Sequence, residues 1–176
     1  MNEPLCLSRA GFQDEGARVL YLLSAESSSL VLLTPIETGT KHFSCFVAWD
    51  ARFASTQDIS SLARHLLDMG CVYFCCWGPD CERVHDIIDE EYLGDGTSIN
   101  DDESTIMTSW HDKEPLDEAL WFALNAAFPD DRFFEDARAL IAICIGSPAW
   151  SSRIAQAFAD PAAFSESHLG SGGDAA

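Results

Sequence analysis

The chain has 176 residues, 47% of them hydrophobic, with 29 acidic side chains against 10 lysines and arginines and a formal net charge of −19. That length and composition fit one globular domain with a sizeable core. The charge argues against a nucleic-acid backbone or an anionic membrane as partner, and it favours a basic protein partner or simple solubility. No apolar run is long enough to span a bilayer, and the acid-containing start MNEPLCLSRAGFQDEG lacks the basic and apolar regions of a signal peptide, so a cytoplasmic location is expected.

The first forty residues are the least regular. RVLYLLS and SSLVLLT read as two strands, a hairpin or an edge extension, and residues 1–40 are treated as an N-terminal extension of the domain. From Lys41 the pattern sharpens. KHFSCFVAWD is an apolar, β-branched and aromatic run that predicts a strand. STQDISSLARHLLDMG follows, with Ser55 and Asp58 spaced as a capping box, Ile59, Leu62, Ala63, Leu66 and Leu67 at helical spacing, and Gly70 at the stop. CVYFCCWG is a second strand. PDCERVHDIIDEEYL is a second helix, with Pro79 expected in its first turn and Asp80 and Glu82 at the positive end of its dipole. STIMTSWH is a third strand and DKEPLDEALWFALNAAF a third helix, whose Trp121 and Phe122 widen the apolar face enough to be covered on more than one side. PDDRFFEDAR reads as a loop with a helical turn. ALIAICIG is a fourth strand and SPAWSSRIAQAFADPAAF a last helix, within a single domain over 1–165, and 166–176 has the composition of a disordered tail.

Apolar strands alternating with amphipathic helices predict a mostly parallel sheet covered on both faces. The expected architecture is a small three-layer α/β fold of Rossmann-like or flavodoxin-like kind. Seven cysteines are present, and Cys45, Cys71, Cys75, Cys76 and Cys144 lie inside apolar runs, as small buried hydrophobes do. Adjacent Cys75 and Cys76 must point to opposite faces of their strand, so they cannot readily share a metal or a partner.

Ligands of open parallel sheets bind beyond the carboxyl ends of the strands. Here those ends read Trp49-Asp50, Trp77-Gly78, Trp110-His111 and Gly146-Ser147. Three strands of four finish on tryptophan. A capped core explains this, and so does a shared pocket formed by Trp49, Asp50, Trp77, Asp80, Trp110, His111 and Glu114. Phosphate is disfavoured, because acids occupy the first turns of the second and third helices; only Gly146-Ser147-Pro148 opens a helix without them. No dinucleotide fingerprint or P-loop is present, and no cofactor is expected. Cys81 and His85 share a helix face at i and i+4, a weak metal signal that needs further ligands such as Asp50, Asp80 or His111. Cys81 at a helix start is also a candidate nucleophile, with His111 as its base, although Asp80 and Glu82 beside it oppose thiolate formation.

GCVYFCCWGPDCERVHD and IMTSWHDKEPLDEALWF, with the strand ending FVAWD, resemble the signature of a bacterial family of short uncharacterised proteins, a domain of unknown function. The resemblance spans about Phe43 to Gly146, and it stresses Trp77, Gly78, Asp80, Cys81, Trp110, His111 and Glu114. It implies no activity. Two functional readings follow. The first is a non-catalytic binding module for a basic protein, of immunity, antitoxin or accessory-subunit type, contacting it through exposed Trp150 or Phe133-Phe134; a homodimer is also open. The second is an enzyme or small-ligand binder using the strand-end pocket, with His111 as acid or base and Asp50 or Asp80 orienting it.

Overall fold

A computed structural model describes residues 7–13, 18–94 and 105–171. The chain runs β1 (Ser8–Gln13), β2 (Arg18–Ala25), α1 (Ser28–Val31), β3 (Phe43–Trp49), α2 (Thr56–Asp68), β4 (Cys71–Trp77), α3 (Cys81–Leu93), β5 (Met107–His111), α4 (Leu116–Asn125), β6 (Ala139–Ile145), α5 (Pro148–Ala159) and α6 (Pro161–Ser171). A 3-10 turn at Asp131–Phe133 supplies the helical turn expected in that loop. The six strands form one sheet in the order β1-β2-β6-β3-β4-β5, parallel except for β1, which is antiparallel to β2.

The α/β architecture read from the sequence is therefore present, with helices on both faces. β3 and β6 are buried along their whole length, which is why they carry no polar alternation. Along β6, Ile141, Ile143 and Ile145 face the layer of α2 and α3, and Leu140, Ala142 and Cys144 face the layer of α4 and α5. Cys75 and Cys76 part in the same way, one to each core. Six free cysteines lie buried among the described residues, and Cys6 lies outside them. Burial pushes the Cys75 thiol up to about 12 and the Cys144 thiol up to about 11.

The connections explain the strand order. From β3 the chain steps through α2 to β4 and through α3 to β5, always in one direction, with both helices packed on one face. It then returns through α4 to β6, on the far side of β3, and α4 packs on the opposite face. Reversing direction and face together preserves the hand of the crossover. The reversal places the carboxyl ends of β3 and β6 side by side.

Local signals account for most boundaries. Ser55 Oγ accepts from the Asp58 amide at 3.1 Å while the Asp58 carboxylate accepts from the Ser55 amide at 3.1 Å, the reciprocal cap the spacing predicts. α4 is covered on more than one side: His168 of α6 stacks on Trp121, and His111 lies against Phe122. Buried Arg18 donates to the carbonyls of Ala123, Leu124 and Ala127, closing the carboxyl end of α4 with a cation.

Four expectations are corrected. SSLVLLT is not a strand; α1 forms at its start, and Val31 and Thr34, three residues apart, turn inward while Leu33 faces solvent. The second N-terminal strand is instead the earlier β1, whose mixed composition hides it. Pro79 stands before the first turn of α3, in a sharp Gly78-Pro79-Asp80 turn in which Asp80 adopts a left-handed conformation with φ of 67°. The last predicted helix breaks at Asp160-Pro161, and residues 166–171, expected in a disordered tail, continue α6; 172–176 lie outside the described residues. Among the described residues no helix is long and apolar enough to cross a membrane.

Candidate functional site

The register determines which strand-end residues meet. Trp77 pairs with His111, and Cys76 with Trp110, across β4 and β5. Neighbours in register point to the same face, so Trp77 and His111 look toward α4 while Trp110 looks toward α3. Trp49 belongs to the α2–α3 core, whereas Trp77 packs on the α4–α5 core. The three indoles therefore do not share a pocket, and the grouping read from the strand ends divides between the two faces.

On the α4 side the residues form a row. Trp150 of α5 meets Trp77 edge-on at 4.9 Å, and the Trp77 Nε1–H donates to the Glu114 carbonyl at 2.9 Å. The Glu114 carboxylate lies 3.7 Å from His111 Nδ1. His111 is buried beneath this row, its ring 4.6 Å from Phe122 and its Nε2 without a hydrogen-bond partner among the described residues. Burial lowers its pKa against the pull of Glu114 and Glu118, so the imidazole is held neutral.

On the α3 side, His85 is used structurally. Its ring lies 4.5 Å from Trp110, with Nε2 3.0 Å from Thr108 Oγ1 and Nδ1 3.0 Å from an Asp86 oxygen. Cys81, one turn earlier, is buried, and burial raises its thiol pKa, with Asp112 and Glu114 adding to the rise and hydrogen bonds that the sulfur accepts from the His111 and Cys81 backbone opposing it. A protonated, enclosed thiol is a poor nucleophile and a poor metal ligand. No group of three or more His, Cys, Asp or Glu side chains among the described residues is placed to hold a metal ion. Asp80 turns outward, and its carboxylate accepts from Arg83 Nε at 2.7 Å. The Arg83 guanidinium also reaches the carbonyls of Ala51 and Ala54 at 2.6 and 3.1 Å, tying the β4–α3 turn to the loop after β3.

An open concavity lies elsewhere along the same carboxyl edge. A cleft of about 510 Å³ sits over the carboxyl ends of β2, β6 and β3. Trp49, Phe53 and Trp150 supply aromatic wall, and Glu26, Asp50 and Asp58 supply carboxylates. Gly146 and Ser147 also line it at the start of α5, where Ser147 Oγ accepts from the Trp150 amide at 3.3 Å. Phe53 is 92% exposed at the rim. The Asp50 carboxylate takes a fork from Arg52, 2.9 Å to Nε and 2.6 Å to Nη2, which lowers its pKa. Hydrogen bonds from Ser55 lower that of Asp58. The start of α5, which has no acid in its own first turn, thus shares the cleft with three carboxylates: Glu26 after β2, Asp50 after β3 and Asp58 in the first turn of α2.

Of the residues predicted from the strand ends, the cleft gathers Trp49 and Asp50. Trp77 touches it through Trp150; Asp80, Trp110, His111 and Glu114 are not among its lining residues. The strand-end pattern does not reach Glu26, Phe53 or Asp58: Glu26 joins the cleft because β2 lies beside β6, and Phe53 and Asp58 come from the loop and first helical turn that follow β3. The available signal was the apolar run RVLYLLSA followed by Glu26 and three serines.

A family described as a domain of unknown function, DUF7684, matches residues 23–161. The chain belongs to that family. The match reaches past the Phe43–Gly146 stretch at both ends, taking in the end of β2 and all of α5, so every lining residue of the cleft lies inside the DUF7684 domain. No curated protein matches the chain.

Proposed function

We propose that this domain is a non-catalytic binding module whose site is the cleft at the β3–β6 reversal, and that the cleft receives a cationic group. In a Rossmann-like or flavodoxin-like reading of the fold, this is the position where ligands sit. The observation that carries the proposal is the lining: the aromatic residues Trp49, Phe53 and Trp150 beside three carboxylates. Aromatic rings and carboxylates both attract ammonium or guanidinium groups, and the same carboxylates repel phosphate. Arg52 illustrates the chemistry within the chain, with its guanidinium on Asp50 and 5.8 Å from the centre of the Phe53 ring.

Binding is favoured over catalysis because the lining holds no histidine, cysteine or lysine. Asp50 and Asp58 are held as acceptors by their partners and are poor proton donors at neutral pH. The basic-protein reading fits the same lining, with a lysine or arginine side chain as the inserted group.

The test is quenching of tryptophan fluorescence by choline, arginine amide and inorganic phosphate in turn. A cation should quench saturably, and Glu26→Gln should weaken it by about tenfold, the loss of one favourable cation contact. Failure of both cations to bind, or tighter binding of phosphate, would overturn the proposal.

A further inference from the structure

The two edges of the sheet are treated differently. β1 carries Arg9, which lies over Phe12 at 5.0 Å, and its pairing with β2 is irregular between Arg9 and Gly11. Charge and irregularity of this kind are how sheets protect an edge from further pairing. β5 has neither. Its sequence MTSWH contains no lysine, arginine or proline, its register with β4 runs without a shift, and among the described residues no strand lies on its outer side. Met107 and Trp110, at opposite ends of the strand, are 40% and 44% exposed.

Alternation places Thr108 and Trp110 on the α3 side of this strand, where His85 meets both. Asp86 and Asp89 stand beside His85, their oxygens 3.0 and 3.5 Å from its ring nitrogens. Asp112 follows the strand directly and is exposed. A second copy of this chain would bring the same acids against these. An extended basic segment would be attracted by them.

We infer that β5 is a docking edge for an extended, lysine- or arginine-rich segment of a partner protein, added as a seventh strand. Backbone hydrogen bonds to β5 would supply the pairing. Alternate basic side chains would fall on the α3 side, over the Trp110 ring and toward Asp86 and Asp89. This edge and the cleft share no lining residue, so the inference stands apart from the cleft proposal.

The probe is a fluorescein-labelled decapeptide of alternating lysine and valine, titrated with the full chain and read by anisotropy. It should bind, and the affinity should fall as salt rises. Trp110→Ala, and separately Asp86→Lys with Asp89→Lys, should each weaken it by about tenfold or more, with far-ultraviolet circular dichroism confirming an unchanged fold. Bound peptide should slow amide hydrogen exchange over 107–111, and a version N-methylated at alternate residues should bind far more weakly. The inference is overturned by absence of binding, by binding that leaves exchange at 107–111 unchanged, by equal affinity for the methylated peptide, or by a native dimer that protects β5.

Discussion

The packing of the β4–α3 turn against the end of β3 makes a quantitative prediction. Gly78 has φ of 115°, and a Cβ built there would lie 2.5 Å from the Trp49 carbonyl oxygen and 3.1 Å from its carbon. Those atoms are backbone and cannot rotate away. Gly39 provides the control, since its φ is 75° and a Cβ there meets nothing within 4 Å. Gly39→Ala therefore isolates the conformational penalty, about 1 kcal/mol after the loss of unfolded-state freedom is allowed for. Gly78→Ala carries at least that penalty, its φ lying further from the left-handed helical region, plus the displacement of the Trp49 backbone, about 2 kcal/mol more on the scale of overpacked interiors. A total near 3 kcal/mol is expected, read as a lower urea midpoint at constant slope. The same displacement would move Trp49 and Asp50 at the cleft, so cation quenching should weaken in the folded fraction as well. The reasoning fails if Gly78→Ala unfolds within about 0.5 kcal/mol of Gly39→Ala, because backbone contact then adds nothing to conformational strain.

Three further outcomes are expected. Arg18→Met should cost about 3 kcal/mol in urea unfolding, since it leaves the carbonyls of Ala123, Leu124 and Ala127 without their buried cationic donor; a loss under about 1 kcal/mol would mean that water replaces the guanidinium. His111 has a folded pKa below its ordinary value, so its contribution to stability is complete above about 6.5 and is lost as pH falls through the folded pKa. Unfolding midpoints of the wild type and His111→Gln should therefore converge on acidification from pH about 7.5 to about 5, and parallel curves would refute a buried neutral imidazole. The buried thiols, Cys81 among them, should resist alkylation in the native state and react on unfolding; rapid native labelling of Cys81, located by peptide mass mapping, would contradict its enclosure.

Much of the fold was legible because its signals are local. Ser55 and Asp58 announce α2 by a cap that needs only three residues of spacing. The fully apolar runs of β3, β4 and β6 announce strands covered on both faces. Adjacent Cys75 and Cys76 had to part because side chains alternate along any strand. Asp160-Pro161 was a visible break that a continuous apolar pattern masked. β1 was not legible, since an edge strand with one antiparallel neighbour and mixed exposure carries no strong period.

The site depended on what spacing cannot convey. Alternation tells that Trp49, Trp77 and Trp110 end strands, but only the register tells which face each takes. Trp77 lies beside His111 and away from Trp110 because of a pairing between separate strands, not because of any property of those residues. Likewise Glu26, Asp50 and Ser147 are far apart in the chain and meet because β6 returns to the side of β3 opposite β4. The sequence by itself determined the layers, the cap of α2 and the acidic charge balance, through short-range sterics and charge count. Tertiary structure alone decided the strand order, and with it the cleft, the buried state of His111 and Cys81, and the place of β5 at the end of the sheet among the described residues, because each follows from contacts between segments that local propensity leaves unconnected.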